Sequence, residues 1–322
     1  MLAEENTSVK PSDAFLEEIS TESLQSLLTS LRRRTVSLGK THLQRTDAEP
    51  SAHFPTCLRP GDVLELQGPP GSGKTHLLYH LIITCVLPTS LQGWGKIAAV
   101  YDLEHTFSIR RFRQLLQFRI DSAASPITNI QDIAAACLSR VKLFLPTSST
   151  QLAVSILHLP MATASHPTDD ELGLIAVDSL STFYWSDRFT SEHQDNHTRN
   201  PLYHILTAIK SILRTHSPVF VYTNWALYPA TARGNQQTSA FFRNHLKPSS
   251  KSSDSNSSSR TEINAVLPLA YHITLARSVP PIPDQFPSRA TLSGRVRAPE
   301  SPMVSSLVLA LEEDANHSTQ FT

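Results

Sequence analysis

The chain has 322 residues with 28 lysines and arginines against 28 aspartates and glutamates, so its formal net charge is zero. This balance excludes a bulk polycation such as a histone but is compatible with a local groove that binds nucleic acid. Three widely spaced cysteines exclude a disulfide framework and indicate a reducing compartment. The most apolar run, Leu77 to Leu87, is too short to cross a bilayer, so we expect a soluble intracellular protein without membrane contact.

Apolar residues near the N-terminus recur at helical spacing and predict a helix over residues 13–34. Two placements of this helix stay open, on the chain's own core or on the core of a partner. Residues 35–55 lack periodicity and are interpreted as a linker. The first predicted unit is therefore an N-terminal helix and linker over 1–55, and it precedes a core over 56–315.

Short apolar stretches alternate with helical patterns through the core, which indicates a mostly parallel sheet covered by helices on both faces. The predicted strands are Asp62–Gln67, Lys96–Tyr101, Val141–Leu145, Leu172–Val177 and Val219–Thr223, with a late edge strand at Ser305–Leu311. The predicted helices cover 73–86, 108–119, 129–140, 149–164 and 200–214.

Three later segments are expected to lack regular structure. Eight of the eleven residues from Ser249 to Ser259 are serine, which predicts a disordered insertion because such a segment buries little apolar surface. This insertion falls in a predicted disordered loop over 226–263. A proline-rich stretch predicts an irregular insertion over 279–300, and residues 316–322 are interpreted as a tail.

One motif in the sequence is specific for phosphate binding. The stretch Gly68-Pro69-Pro70-Gly71-Ser72-Gly73-Lys74-Thr75 satisfies the phosphate-loop pattern GxxxxGK(S/T), and it lies between a predicted strand and a predicted helix. Its glycines let backbone N–H groups surround phosphate oxygens, and the helix N-terminus adds partial positive charge. We expect Lys74 to reach the β- and γ-phosphates and the Thr75 hydroxyl to ligate Mg²⁺.

Carboxylates after two of the predicted strands are candidates for the remaining roles. Asp178 follows four apolar residues and is the candidate for supporting Mg²⁺. Glu104 is the better candidate for the acid that polarises the attacking water, and Asp102 is the alternative. Either of these two acids could instead cap the helix that follows.

These motifs together resemble the RecA-type recombinase paralogue family. The resemblance rests on the phosphate loop, on Asp-x-Glu-x-Thr-Phe at 102–107 and on the block Asp178–Arg188, with further likeness at Pro60–Glu65, Leu78–Leu81, Ser148-Ser149-Thr150 and Thr223-Asn224. It implies an α/β RecA-like P-loop NTPase core with ATP and Mg²⁺ as cofactors. It assigns phosphate and metal roles to Lys74, Thr75 and Asp178, and a water-activating role to Glu104.

The family implies an accessory subunit of a recombinase-paralogue complex, acting in the nucleus in homologous-recombination repair of double-strand breaks and stalled forks. The expected partners are other paralogues, such as a D-type paralogue, and single-stranded or fork DNA. Two loops would face that DNA, over 182–199 and 226–263. The first contains Phe183, Tyr184, Trp185 and Arg188, which suit base stacking, with a core or a subunit interface as the open alternative for the aromatic residues.

The chain departs from the family at Trp225, where active recombinases have a glutamine that senses the γ-phosphate. An indole donates a hydrogen bond but cannot accept one, so the coupling of hydrolysis to DNA is in question. The alternative to a non-catalytic accessory subunit is a DNA-stimulated ATPase, which the retained Glu104 favours. A P-loop kinase of a small molecule is a third reading, but it gives the Asp178–Arg188 block no role.

Overall fold

The computed structural model describes residues 38–40, 57–121, 129–164, 171–193, 201–225, 267–278, 290–297 and 304–311. The strands in these residues are β1 (Leu38–Lys40), β2 (Cys57–Leu58), β3 (Val63–Gly68), β4 (Ile97–Asp102), β5 (Val141–Phe144), β6 (Leu172–Asp178), β7 (Val219–Trp225), β8 (Tyr271–Ser278), β9 (Ala290–Arg297) and β10 (Val304–Leu311). The helices are α1 (Lys74–Val86), α2 (Ile109–Asp121), α3 (Ile130–Ser139), α4 (Ser149–Ala164), α5 (Tyr184–His193) and α6 (Pro201–His216).

Eight strands form one sheet in the order β10-β9-β8-β3-β7-β6-β4-β5. The six strands from β8 to β5 pair in parallel, whereas β8 with β9 and β9 with β10 pair antiparallel. The predicted class, an α/β fold with a mostly parallel sheet, is therefore confirmed. Strand β3 lies inside the sheet between β7 and β8, so the loop that follows β3 starts near the middle of the sheet edge.

The sheet is covered on both faces, because alternate residues of each strand enter different hydrophobic clusters. Leu64 and Leu66 of β3 pack with residues of α1, α2 and α3 on one face. Val63 lies on the other face, in the cluster formed by α4 and α6. This two-sided burial explains the nearly continuous apolar runs of the central strands.

Most predicted elements are present with ends shifted by one or two residues. The structure corrects three expectations. Residues 290–297 of the predicted irregular insertion over 279–300 form β9, and Leu38–Lys40 of the predicted linker pairs with β2. Within the first predicted loop over 182–199, residues 184–193 form the helix α5.

Other predictions fall outside the described residues. These are the helix over 13–34, the serine-rich insertion, the loop over 226–263 and the tail over 316–322. In the described part of the chain, no helix is both long and apolar enough to traverse a lipid bilayer.

Candidate functional site

The phosphate loop connects β3 to α1 at the carboxyl edge of the sheet. Gly73 precedes the helix with φ 84°, and among the described residues no side chain caps the first turn of α1. Its N-terminal N–H groups therefore face the loop, where they can donate to an anion. Gly71 also has a positive φ of 72°, which favours glycine for steric reasons.

The loop is built for close approach of its backbone. A Cβ atom at Gly68 would lie 2.3 Å from Oγ of Ser72 and 2.7 Å from the carbonyl oxygen of Leu275. Ser72 is buried, and its Oγ has no hydrogen-bond partner among the described residues. An unsatisfied buried hydroxyl inside a glycine-lined concavity fits the binding of a phosphate group.

Lys74 folds back over this loop. Its Nζ donates to the carbonyl oxygens of Gly68 at 2.9 Å and Pro69 at 3.0 Å. Burial lowers the pKa of Lys74, and the carboxylates of Asp178 and Glu104 partly oppose that effect. The ammonium group therefore lies where a phosphate oxygen could replace the two loop carbonyls as its acceptor.

Asp178 joins the phosphate loop to the neighbouring strands. Its Oδ2 accepts a hydrogen bond of 2.7 Å from Oγ1 of Thr75, and its Oδ1 accepts one of 2.5 Å from Oγ1 of Thr223. Burial raises the pKa of Asp178, and these two hydrogen bonds oppose the rise. The structure thus brings together Thr75 and Asp178, the two residues that the sequence predicts as the Mg²⁺ pair.

The hydroxyl and carboxylate oxygens of this pair are the donor types that Mg²⁺ prefers. With only two protein ligands, they fit a metal that keeps several waters and binds substrate phosphates. The described residues hold no cluster of three or more His, Cys, Asp or Glu side chains that could form a separate metal site.

The two acids after β4 have different environments. Asp102 is buried, and its carboxylate accepts the backbone N–H groups of Thr106 at 3.1 Å and Phe107 at 2.8 Å. These two residues precede α2, so Asp102 fixes the loop before the helix rather than capping the helix itself, and Oγ of Ser108 accepts the N–H of Arg111 in its first turn. Glu104 projects from that loop, directly before His105, whose φ is 55°.

Glu104 is the acid that reaches the strand ends. Its Oε1 accepts a hydrogen bond of 2.7 Å from Oγ of Ser179 and one of 2.8 Å from the indole Nε1 of Trp225. Sequence reasoning missed both partners as neighbours of Glu104. Ser179 could have been suspected because it directly follows Asp178, whereas the contact of Trp225 depends on the sheet order and has no local signal.

A buried polar network supports the end of β7. Asn224 donates from Nδ2 to Oε1 of Glu65 at 2.8 Å and accepts at Oδ1 from Oγ of Ser181 at 3.1 Å. The same Ser181 Oγ accepts the backbone N–H of Trp225 at 3.1 Å. Buried hydrogen bonds of this kind fix side-chain positions, so the strand ends around the phosphate loop are held at several points.

Two of the relatives found by comparison with known proteins are named as XRCC2 or its homolog. The chain is 36% identical over 128 residues to DNA repair protein XRCC2 of Mus musculus, which covers 40% of this chain and 43% of that protein. It is 25% identical over 217 residues to the DNA repair protein XRCC2 homolog of Arabidopsis thaliana, covering 56% of this chain and 58% of that protein. The matches thus span about half the length of these curated relatives. No protein-family model matches the sequence.

Proposed function

We propose that this chain, which is RecA-like and close to the XRCC2 proteins, is an ATP-binding accessory subunit in homologous-recombination repair. In this role it belongs to a nuclear complex of recombinase paralogues and helps assemble the recombinase filament on single-stranded DNA at breaks and stalled forks. The names of the relatives support the repair process. The observation that carries the nucleotide function is the phosphate loop joined to Asp178 through Thr75.

Each part of the candidate site has a role in this proposal. The loop from Gly68 to Gly73 and the first N–H groups of α1 would bind the phosphates, together with Nζ of Lys74. Thr75 and Asp178 would hold Mg²⁺. When bound, ATP would supply a phosphoanhydride bond, and its metal ion would neutralise the charge that develops on the phosphate oxygens. The unsatisfied Oγ of buried Ser72 supports this fit.

A second candidate function is DNA-stimulated ATP hydrolysis by the chain itself. Glu104 favours it, because an exposed carboxylate beside Lys74 and Asp178 is suited to accept a proton from water. Trp225 disfavours it, because the indole donates to that same carboxylate. We therefore propose nucleotide binding as the main property and turnover as a weak or partner-dependent one.

The face of α5 supports contact with DNA or with another subunit. Trp185 and Phe189 are exposed by 57% and 64%, and the guanidinium carbon of Arg188 lies 6.0 Å from the centre of the Trp185 ring. An exposed aromatic next to a cation is suited to stack on unpaired bases. Large exposed apolar side chains are also typical of protein interfaces, including one with a D-type paralogue.

The first experiment measures ATP binding and hydrolysis on the purified full chain, with and without single-stranded DNA, beside Lys74→Ala. Binding that Lys74→Ala removes, with little turnover, is the expected result. DNA-stimulated hydrolysis that Lys74→Ala abolishes would favour the second candidate function. No binding by the wild-type chain at millimolar ATP would refute the nucleotide function.

The water-activating role is tested separately with Glu104→Gln. This variant is expected to bind ATP as the wild type does and to lose residual turnover. Equal turnover of the two proteins would remove the assignment.

Partner binding is tested by co-purifying the full chain with a D-type paralogue, using Trp185→Ala with Phe189→Ala as the variant. Unchanged co-purification together with weaker binding to single-stranded DNA would assign the α5 face to DNA.

A further inference from the structure

The Glu104 carboxylate is held by side chains from two neighbouring strand ends. Glu104 follows β4, Ser179 follows β6 and Trp225 ends β7, and these three strands are adjacent in the sheet. Ser179 and Trp225 both donate to Oε1 of Glu104, at 2.7 Å and 2.8 Å. The side chain of Glu104 therefore spans the end of β6 and connects β4 with β7.

The backbone on each side of this connection is fixed. The loop that carries Glu104 is held by Asp102 through two backbone N–H groups, and the N–H of Leu103 donates to the carbonyl oxygen of Asp178 at 2.7 Å. On β7, the N–H of Trp225 donates to Oγ of Ser181. Since both anchors are fixed, the orientation of the Glu104 carboxylate is set by its two hydrogen-bond donors.

These donors restrict what the carboxylate can do. A carboxylate oxygen offers two lone-pair sites, and at Oε1 both are used by Ser179 and Trp225. A hydroxyl can rotate and become an acceptor, but an indole N–H only donates. Trp225 therefore cannot pass a proton from water to Glu104, and its N–H occupies a lone-pair site of Oε1 that water could otherwise use.

We propose that Trp225 is a positioning residue that restrains Glu104 and thereby keeps ATP turnover slow, so that the chain retains its nucleotide. This inference rests on the proposed nucleotide function and names the regulation of that same site. It also explains how the chain can keep an acid suited to activate water and still be mainly a nucleotide binder.

The main test replaces Trp225 with Phe, which keeps an aromatic ring and removes the N–H donor. In the purified full chain, Trp225→Phe is expected to raise kcat for ATP about tenfold without changing KM, because a hydrogen bond to a charged group is lost. The double variant Glu104→Gln with Trp225→Phe is the matched control. It is expected to turn over no faster than Glu104→Gln alone, since the effect of Trp225 acts through Glu104.

A second measurement needs no nucleotide. The chain contains three tryptophans, and the ultraviolet resonance Raman band that reports indole N–H hydrogen bonding should show one of them in a strong bond. Glu104→Ala changes an exposed side chain and is expected to shift that signal toward a weaker bond. Lys74→Ala, which leaves Glu104 in place, should give the wild-type spectrum.

The outcomes separate the two proposals. ATP binding by the wild type with unchanged or reduced kcat in Trp225→Phe overturns the restraint and leaves the proposed function standing. An identical Raman spectrum for Glu104→Ala and wild type also overturns the restraint, even if Trp225→Phe fails to fold. Absence of ATP binding by a folded wild-type chain refutes the proposed nucleotide function, and the inference about turnover falls with it.

Discussion

Ser149 at the start of α4 donates a hydrogen bond of 2.5 Å from its hydroxyl to Oδ2 of Asp187 on α5. The bond joins two separate stretches on which the family resemblance rests, Ser148-Ser149-Thr150 and Asp178–Arg188. Burial raises the pKa of Asp187, and the bond from Ser149 opposes the rise. The helix that carries the exposed Trp185 and Phe189 is thus fixed to the helical layer behind the sheet.

Removing this bond should loosen α5. Ser149→Ala takes the donor away from a half-buried carboxylate and is expected to lower the free energy of unfolding by about 1 kcal/mol. Thr150→Ala, at an exposed neighbouring position, is the control and should change it by less than about 0.5 kcal/mol. Urea unfolding at neutral pH measures both. The bond would be judged unimportant if Ser149→Ala cost the same in an Asp187→Ala background.

Asp178 is expected to lower the stability of the nucleotide-free protein and to be needed for binding Mg²⁺-ATP. Since burial raises its pKa, the folded state favours the protonated form, and the ionised carboxylate destabilises the nucleotide-free fold at neutral pH. Asp178→Asn should therefore unfold about 3 °C higher, which corresponds to about 1 kcal/mol. The same variant should lose Mg²⁺-dependent ATP affinity.

The measurements for Asp178→Asn are calorimetric unfolding without ligand and ATP titration with and without Mg²⁺. The direction in which the stability difference changes with pH follows from the raised pKa of Asp178. The stabilising effect of Asp178→Asn should be largest at neutral pH and should shrink as the pH falls toward the pKa of Asp178. A variant that is less stable at neutral pH but binds Mg²⁺-ATP normally would contradict both parts.

The close packing of the phosphate loop predicts a steric effect at Gly68. Gly68→Ala would place a Cβ 2.3 Å from Oγ of Ser72 and 2.7 Å from a backbone oxygen, so the loop must move. We expect the variant to stay folded and to lose at least about tenfold in ATP affinity, on the scale of a hydrogen bond to a charged group. Isothermal titration provides the measurement.

Gly95→Ala is the control for Gly68→Ala. Gly95 has a positive φ of 65°, and no atom of the described part of the chain lies within 4 Å of the added Cβ, so the change strains the backbone away from the phosphate loop. Gly95→Ala should lower the free energy of unfolding by about 1 kcal/mol and leave ATP affinity unchanged. Similar ATP affinities of the two variants would show that the loop tolerates the added methyl group.

A pair of histidines on α1 predicts acid sensitivity. His76 and His80 have their Nε2 atoms 3.1 Å apart, and burial, followed by the charge of His76, lowers the pKa of His80 to about 4. Because the unfolded chain takes up a proton near pH 6.5 and the folded chain does not, stability should fall as the pH drops from about 6.5 to about 4.

His80→Leu should remove this acid-induced loss, which is on the order of 2 kcal/mol. The check is a series of urea unfolding curves between pH 7.5 and about 4.5 for the wild type and the variant. Parallel pH dependence of the two proteins would mean that His80 titrates normally. The comparison uses how steeply the free energy of unfolding changes with pH. A packing cost of the leucine side chain that is the same at every pH therefore does not affect it.

The sequence predicts the local parts of this site well and the contacts across strands poorly. The phosphate loop, the helix after it and the strand before Asp178 follow from patterns within about ten residues. Asp102 and Glu104 look alike in sequence, and only the loop conformation shows that one accepts backbone N–H groups while the other reaches Ser179. The partner of the Trp225 indole depends on the order of β7, β6 and β4, which no local pattern encodes.

The same argument explains the wrong expectations for β9 and α5. Proline and serine near 279–300 suggest irregular structure, but Ala290–Arg297 pairs with strands on both sides, and tertiary pairing outweighs weak local preference. Helix α5 lies where the family resemblance implies a loop, and the interpretation of its aromatic residues rests on that analogy rather than on periodicity.

The position of β3 inside the sheet has a consequence for how the protein is made. Its two neighbours in the sheet, β7 and β8, both come much later in the chain, and Asn224 and its partner Glu65 are 159 residues apart. A chain emerging from the ribosome therefore leaves β3, with the phosphate loop attached, without a partner strand until Val219–Trp225 has been synthesised. Such delayed pairing slows folding and favours aggregation. The chain therefore needs a chaperone most between the synthesis of β3 and the synthesis of β7.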